Sequence, residues 1–357
     1  MSSLSVQSDR DALDHDAIDR EFSEKKAIFE NTAMGISLRG QNIYFTEIEK
    51  DSGGFTARKF GMIPTNMKFG TGIEGVEKNI SDLYSYLNGC IEDNAIRSKR
   101  FNLSLNTQLA TIHKTFVEAN SSEEEFESFI KWEFSKHVLD EVDQFVVNTV
   151  QLRTAHETSK IDPVLIIGMR RRFVDTLNQV LDKVKIDMTC MDVDILCSHA
   201  SYEVNYDRFP DGMTVLAEVK PGAITLLLCD DYEVEYIHQF TTAAKSSPQK
   251  VGTLLNQHLD NLITLYSQDA KKNAKIGRVL LCNELAVSSL PYVESRFNPQ
   301  SINPFVKIRI PQPFAPADES ADEKKDDEAM PATDPLTQTD YSPYAECAGA
   351  AIKLLTP

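Results

Sequence analysis

The sequence lacks a long apolar run, and none approaches the roughly 18 residues that a membrane-spanning helix needs. Residues 1–26 are acidic and have no apolar centre, so we expect neither a secretory signal nor a transit peptide. Cations are scarce as well, because 37 Lys and Arg accompany 54 Asp and Glu and leave a formal net charge of −17. A surface this acidic repels phosphate backbones, which argues against general nucleic-acid binding.

Metal-binding and disulfide motifs are also missing. The six cysteines are scattered, and most lie in apolar runs such as VLLCNEL, where a free thiol behaves as a small hydrophobic residue. The closest two, Cys190 and Cys197, do not have the spacing of a zinc motif, and the seven histidines form no HxH, HxxxH or HExxH pair. We therefore expect a reducing, cytoplasmic location and no bound metal.

The 357 residues that are present divide into two halves, each led by a predicted β-hairpin and followed by helices. In the first half, GISLRGQNIYFTEIE predicts two strands joined by a turn at residues 40–42. Ser122 and Glu125 predict a capping box at the start of a helix, and the run VLII predicts a strand buried on both faces. Strand-helix pairs of this kind indicate an α/β protein, and the weak duplication indicates two lobes with a cleft between them.

The order of these segments, continued by LAEVKPGAITLLL and the terminal YAECAGAAIKLL, resembles the PilM family over roughly residues 32–355. These are the cytoplasmic actin-like proteins of type IV pilus assembly, and FtsA is a more distant relative. The resemblance implies a two-lobed actin-like (ribonuclease-H-like) α/β fold with a small inserted α+β domain. It also implies ATP binding in the cleft, and binding of the cytoplasmic N-terminal peptide of an inner-membrane partner, PilN.

The resemblance also suggests how the chain is divided. We expect a disordered acidic tail, a first lobe in two pieces, an inserted small domain, and a second lobe with a disordered acidic loop. The respective ranges are 1–28, 29–99 with 164–200, 100–163, and 201–357 with the loop at 315–340. Only TTAAKSSP separates the second hairpin sheet from the next helix, so the fourth subdomain of the family is predicted to be reduced to a loop.

The first nucleotide motif of the family departs from its usual form in this chain. The family pattern has an Asp that holds magnesium and a Gly that lets the backbone approach phosphate. The corresponding residues here are Ser37 and Arg39, followed by Gly40. Arg39 does not replace the Gly, because its side chain prevents the close approach of the backbone.

The second phosphate motif and the adenosine motif depart from the family pattern too. The second motif keeps an acid, Glu218, and a later Gly222, but Lys220 and Pro221 stand where the family has Gly, and Pro removes an N–H donor. In the adenosine motif, Asn283 precedes Glu284 in place of two glycines. With the missing subdomain, these departures predict that ATP and magnesium are not bound and that the protein is a pseudo-ATPase without catalytic residues.

Two further sets of residues are candidates for binding a partner. Phe129 and Trp132 lie off the apolar stripe of their helix, in the region that the resemblance assigns to partner binding. Arg170, Arg171 and Arg172 place three cations at a predicted helix start in an acidic protein. The arginines are either surface ion pairs or a docking point for an acidic segment, and the sequence leaves both interpretations open.

Two functional hypotheses follow. The first is a cytoplasmic adaptor of a type IV pilus or related secretion platform, held at the inner membrane through the cytoplasmic peptide of a PilN-like protein, without membrane insertion of its own. The second is an active actin-like ATPase, in which nucleotide closes the cleft and changes partner affinity. The phosphate loops favour the first hypothesis, and self-association stays open.

Overall fold

The computed structural model describes the following residues: 31–69, 80–119, 121–152, 160–184, 188–270, 275–311 and 340–356. The predicted acidic tail lies outside the described residues, and so does the predicted acidic loop apart from its last residue, Asp340. Among the helices of the described part, none is both long and apolar enough to cross a membrane.

The chain folds into twelve strands and six helices of two turns or more within the described residues. The strands are β1 (Thr32–Asp51), β2 (Gly54–Phe69), β3 (Phe101–Leu105), β4 (Ala110–Glu118), β5 (Phe145–Gln151), β6 (Ile161–Arg170), β7 (Met188–Val193), β8 (Met213–Lys220), β9 (Ala223–Asp230), β10 (Glu233–Thr241), β11 (Ile276–Cys282) and β12 (Pro299–Ser301). The helices are α1 (Ile80–Asp93), α2 (Glu123–Ser135), α3 (Arg171–Val184), α4 (Asp194–Asn205), α5 (Pro248–Ala270) and α6 (Ala345–Leu355). A single helical turn spans Ala286–Ser289.

The first sheet has the strand order β2-β1-β3-β7. Strand β1 pairs in parallel with β3 through its first half and antiparallel with β2 through its second half. The predicted hairpin turn at residues 40–42 is therefore wrong. Gly40 adopts a φ of 60° and the pairing register shifts beside it, so the chain passes through a bulge and continues as one strand.

The small domain is an antiparallel sheet of order β4-β6-β5 covered by α2. The predicted capping box is present, with Ser122 accepting from the Glu125 backbone and Glu125 accepting from the Ser122 backbone. Val164 and Ile166 of β6 face the core under α2, whereas Leu165 faces the main core. The continuous apolar run of β6 is explained by burial on both faces of this central strand.

Two predicted boundaries of the small domain are corrected by the sheet pairing. Strand β3 was expected in the small domain, but it lies between β1 and β7 in the first sheet. Strand β6 was expected largely in the first lobe, but it is the middle strand of the small sheet. The composition of these two strands does not indicate which partner strands they pair with.

The second sheet has the order β10-β9-β8-β11-β12, and α5 packs on one face. Six residues, 242–247, separate β10 from α5, which agrees with the predicted reduction of the fourth subdomain to a loop. Leu216, Leu227 and Leu280 lie on the other face of the sheet, in the same core as residues of the first sheet. The two lobes therefore share one hydrophobic core.

The last helix, α6, was expected in the second lobe, but it packs against β1 and β3 of the first sheet and against α4. Its small side chains allow this, because a Cβ on Gly349 would lie 1.7 Å from the backbone oxygen of Cys197 in α4. On the other side, a Cβ on Gly35 of β1 would lie 1.8 Å from the backbone oxygen of Cys347 in α6. Helix α6 thus brings the end of the chain to the junction of the two lobes.

Candidate functional site

Ser37 and Arg39 occupy alternate positions of β1, so their side chains lie on the same face of the strand. Both are buried, with 1% and 4% of their surface exposed. The Ser37 hydroxyl donates to the carboxylate of Glu346 on α6. Arg39 donates from Nη2 to the backbone oxygen of Pro343 at 2.8 Å, and its guanidinium carbon lies 4.1 Å from the centre of the Tyr44 ring. Strand β1 is thereby tied to the end of the chain.

The end of β11 completes the surroundings of Arg39. Asn283 adopts a left-handed conformation with φ of 77°, and its side-chain oxygen accepts from Arg39. Its amide donates to Glu346 Oε1 at 2.7 Å, and Arg39 Nη1 lies 3.2 Å from Glu346 Oε2. Glu284 Oε1 lies 2.7 Å from Arg39 Nε. Glu346 is therefore held at both oxygens, by side chains from both lobes.

Lys220, at the end of β8, lies among three buried carboxylates. Its Nζ is 2.7 Å from Glu346 Oε1 and 3.2 Å from Glu218 Oε2, and it also donates to Asp194 at the start of α4. One oxygen of each carboxylate lies within 4.8 Å of the others, a separation that a divalent cation bridges. In this chain the ammonium of Lys220 bonds to all three carboxylates. We call Arg39, Lys220 and the carboxylates that they contact the buried ion cluster.

The pKa values of the buried ion cluster follow from its burial and its cations. Burial opposes ionisation of Glu346, but the charges of Arg39 and Lys220 outweigh it and lower the pKa of Glu346 from 4.5 to about 2. Burial raises the pKa of Glu218 well above 4.5, the charge of Asp194 adds to this, and Lys220 offsets only part of it. Burial disfavours a charged Lys220, yet the three carboxylates raise its pKa well above 10.5. Lys220 and Glu346 therefore stay charged at neutral pH.

Four of the six residues predicted from the degenerate nucleotide motifs come together here. Arg39 and Glu218 belong to the buried ion cluster, and Ser37 and Asn283 bond to its Glu346. The other two are glycines with a positive φ. Gly40, with φ of 60°, forms the bulge of β1, and Gly222, with φ of 91°, lies in the turn between β8 and β9.

Sequence reasoning missed Glu346 and Asp194. A lone carboxylate in the helix AECAGAAIKLL was a usable signal for Glu346, because its neighbours are small or apolar and the helix was expected to pack closely. For Asp194, its segment MDVDIL gives no comparable signal.

The predicted partner-binding aromatics have different surroundings. Trp132 is 58% exposed, with the ammonium of Lys136 3.5 Å from the ring centre. Phe129 is half-buried and packs against the small-domain core.

The predicted arginines lie beside the segment between α2 and β5. Arg170 donates to Asp140, and Arg171 donates to the backbone oxygens of Asp143 and Phe145 at 3.1 and 2.9 Å. Arg172 is exposed near the start of α3. Arg170 thus forms a surface ion pair, which was one of the two interpretations, whereas Arg171 bonds to backbone oxygens.

A surface cavity of about 380 Å³ lies in the small domain, between the beginning of β4 and the segment that follows α2. We call it the small-domain cavity. Apolar side chains of Leu109, Val138, Leu139 and Phe145 line it together with the polar His137, Asp140 and Arg170. The side chain of Leu139 is fully exposed. A fully exposed leucine beside a concave surface of mixed polarity is a candidate contact point for a protein partner.

The family model described as "Type IV pilus assembly protein PilM" matches residues 35–236, more than half of the 357-residue chain. No curated protein sequence matches the chain significantly.

Among solved structures, the chain is similar to one from a "PilM-PilN type IV pilus biogenesis complex", with a TM-score of 0.73 and 12% identity over 91% of this chain and 99% of that chain. At this identity the likeness shows the fold, which is the two-lobed actin-like fold with an inserted small domain that the sequence predicted. A protein with an actin-like ATPase fold from Bacteroides thetaiotaomicron has a TM-score of 0.43 at 10% identity, covering 80% of this chain and 92% of its own. The cytoplasmic domain of EpsL, from the type II secretion system of Vibrio cholerae, has a TM-score of 0.41 at 10% identity, covering 71% and 82%.

Proposed function

This chain belongs to the PilM family of type IV pilus assembly proteins, and we propose that it is a cytoplasmic adaptor that binds the cytoplasmic segment of a PilN-like inner-membrane protein without using nucleotide. On this proposal the chain is held at the membrane by its partner. It contributes a binding surface to the assembly platform and carries out no hydrolysis.

The buried ion cluster is the observation that carries the nucleotide-free part of the proposal. A magnesium-nucleotide site needs carboxylates that are open to the metal and backbone N–H groups that approach phosphate closely. Here Lys220 bonds to all three carboxylates, and Asn283 and Ser37 bond to Glu346. A cation built into the protein supplies the positive charge that a metal ion would bring, so these residues do not fit magnesium and ATP.

The same cluster supports a fixed arrangement of the two lobes. Arg39 comes from the first sheet, Lys220 from the second, and both contact Glu346 on α6. Breaking one member of a buried ion pair costs about 3–5 kcal/mol, because the remaining charge stays buried without a partner. Such a cost disfavours opening at the lobe junction, so partner binding does not depend on a nucleotide-driven change.

The partner-binding part of the proposal rests on family membership and on the small-domain cavity. The similar solved chain is described as part of a PilM-PilN complex. In the present chain, the cavity joins a fully exposed Leu139 to apolar Leu109 and to charged Arg170 and Asp140. A short peptide with an apolar side chain and flanking polar groups suits such a lining.

The proposal is tested by fluorescence anisotropy with a labelled synthetic peptide that spans the cytoplasmic N-terminus of the PilN-like protein from the same organism. We expect saturable binding, with the same affinity in the presence and absence of Mg-ATP. Leu139→Ser is expected to weaken binding by at least about tenfold, since burying a leucine side chain contributes about 1.5–3 kcal/mol.

Leu265→Ser is the matched control, because Leu265 is also an exposed leucine, at 45%, but lies on α5 of the second lobe. It should bind the peptide with unchanged affinity. Equal weakening by both substitutions would contradict the proposed binding surface. Affinity that changes with Mg-ATP would instead support an active nucleotide switch.

A further inference from the structure

Three side chains capable of binding a metal converge at one edge of the small domain: His113, Glu133 and His137. His113 Nε2 lies 3.3 Å from Glu133 Oε1, and His137 Nε2 lies 3.8 Å from the same oxygen. The two imidazole rings lie next to each other, with centres 3.8 Å apart. The Nε2 atom of each histidine therefore lies within 4 Å of the same carboxylate oxygen.

The fold brings these residues together, although their spacing in the sequence matches no common metal-binding motif. His113 occupies β4 two and four positions before Thr115 and Val117, so all three lie on the strand face that packs against α2. Glu133 lies in the last turn of α2 and is 9% exposed. His137 follows the helix at the i+4 position from Glu133, which places the two side chains on one side.

The three donor atoms are of the types that zinc binds, and they all lie within 4.8 Å of one another. Zinc binds histidine nitrogen at about 2.0–2.1 Å and carboxylate oxygen at about 2.0–2.2 Å, usually with tetrahedral geometry. Ligand atoms at these distances lie about 3.3 Å from each other along an edge of the tetrahedron. The contact between His113 and Glu133 already has this separation, at 3.3 Å, and the contact of His137 is half an ångström longer, at 3.8 Å.

We propose that His113, Glu133 and His137 form a binding site for a zinc ion that ties the end of α2 to β4. Two imidazoles and one carboxylate are three protein ligands, and they leave a fourth position to water. Imidazole ligands favour zinc over magnesium and calcium, which prefer oxygen ligands.

Lys136 has a supporting role at this site. Its Nζ bonds to Oε2 of Glu133, the oxygen that does not face the histidines, and the same ammonium lies over the Trp132 ring. A hydrogen bond to the second oxygen orients a ligating carboxylate.

The site is tested by calorimetric titration of the full-length protein, produced without a polyhistidine tag and stripped with chelator, with ZnCl₂. We expect one zinc ion per chain, a rise in Tm on zinc addition, and no heat with MgCl₂ or CaCl₂. His113→Gln and His137→Gln should each weaken zinc binding by at least about tenfold, since even indirect partners of a metal site contribute 10- to 100-fold. His137→Gln is the safer variant for folding, because the His137 side chain lies at the surface.

His258→Gln is the matched control. His258 also lies beside another histidine, with its Nδ1 3.1 Å from His238 Nε2, but it belongs to α5 and is not among the carboxylate-containing clusters of the described residues. Zinc binding should be unchanged in this variant. No zinc binding, equal binding of magnesium, or binding that survives both His113→Gln and His137→Gln would overturn the proposal. The last result would mean that Glu133 forms its ion pair with Lys136 and does not bind zinc.

Discussion

Glu346 is a single buried carboxylate whose charge is set by two cations from different lobes. Arg39 and Lys220 lower its pKa from 4.5 to about 2, against the opposing effect of burial. A carboxyl group with a lowered pKa in the folded state stabilises the protein above its unfolded-state pKa. That contribution is lost as the pH is lowered from about 4.5 toward 2.

Glu346→Gln is expected to lower the free energy of unfolding at pH 7 by about 3–5 kcal/mol, because Arg39 and Lys220 stay buried with less neutralising charge. The variant should also lose less stability than the wild type between pH 4.5 and pH 2, the interval in which Glu346 takes up its proton. From the pKa difference we expect this acid-dependent part to be about 3 kcal/mol. Urea unfolding at a series of pH values measures both effects.

Glu218→Gln is the control for this prediction. Burial already raises the pKa of Glu218 well above 4.5. A neutral side chain at this position therefore removes a smaller favourable charge interaction than one at Glu346. The Gln carbonyl oxygen can still accept from the Ser198 hydroxyl, which lies 2.8 Å from Glu218 Oε1. We expect a loss of stability clearly smaller than that of Glu346→Gln. Equal losses would contradict the assignment of the charge to Glu346.

At the scale of secondary-structure elements, α6 is the helix whose close packing decides where Glu346 lies. It lies against β1 on one side and α4 on the other, and glycines stand at both contacts: Gly35 of β1 faces α6, and Gly349 of α6 faces α4. A helix with larger side chains at Gly349 would be held away from α4. The ion contacts of Glu346 therefore depend on the small residues of its helix.

Gly349→Ala is expected to destabilise the protein by about 1–3 kcal/mol or more, although alanine is the better helix former. The added Cβ would lie 1.7 Å from the Cys197 backbone oxygen, so α4 or α6 must shift. Thermal and urea unfolding measure the loss.

Gly89→Ala in α1 is the matched substitution without crowding. Its added Cβ would meet only the Asp93 side chain, at an ordinary contact distance of 3.7 Å. We expect this variant to be as stable as the wild type or more stable by up to about 1 kcal/mol, the helix-propensity difference between alanine and glycine. A stabilising effect of Gly349→Ala as well would show that α6 and α4 are not in such close contact.

At the scale of the whole molecule, the buried ion cluster and the shared hydrophobic core join the two lobes at the place where the family motifs lie. The family resemblance assigns Ser37 and Arg39 to the first phosphate motif, Glu218 to the second, and Asn283 to the adenosine motif. Their side chains now bond within the protein. The proposed loss of nucleotide use is therefore a property of the lobe junction and not of one substitution.

We expect calorimetric titration of the full-length protein with Mg-ATP to give no binding heat up to millimolar ligand and no shift in Tm. The physical reason is that ATP and magnesium would have to replace the contacts of Lys220 and Arg39 with buried carboxylates. Binding at micromolar affinity would contradict the nucleotide-free proposal and would favour the active switch.

Local patterns in the sequence determined much of the secondary structure and part of the candidate site. The capping box of α2 and the buried strand at VLII were predicted, because each depends on residues within a few positions of one another. Four residues of the degenerate motifs were identified through the family resemblance and lie in the site.

Only the tertiary structure decided which strands pair and which charges meet. The continuity of β1 through Gly40, the place of β3 in the first sheet and the docking of α6 on that sheet depend on partners distant in sequence. The hydrogen bond between Ser37 and Glu346 joins residues 309 positions apart, and no local periodicity encodes such a contact. The sequence by itself thus determined most of the elements and which residues stand at the family's motif positions, whereas long-range packing brought four of those residues together around Lys220 and Glu346.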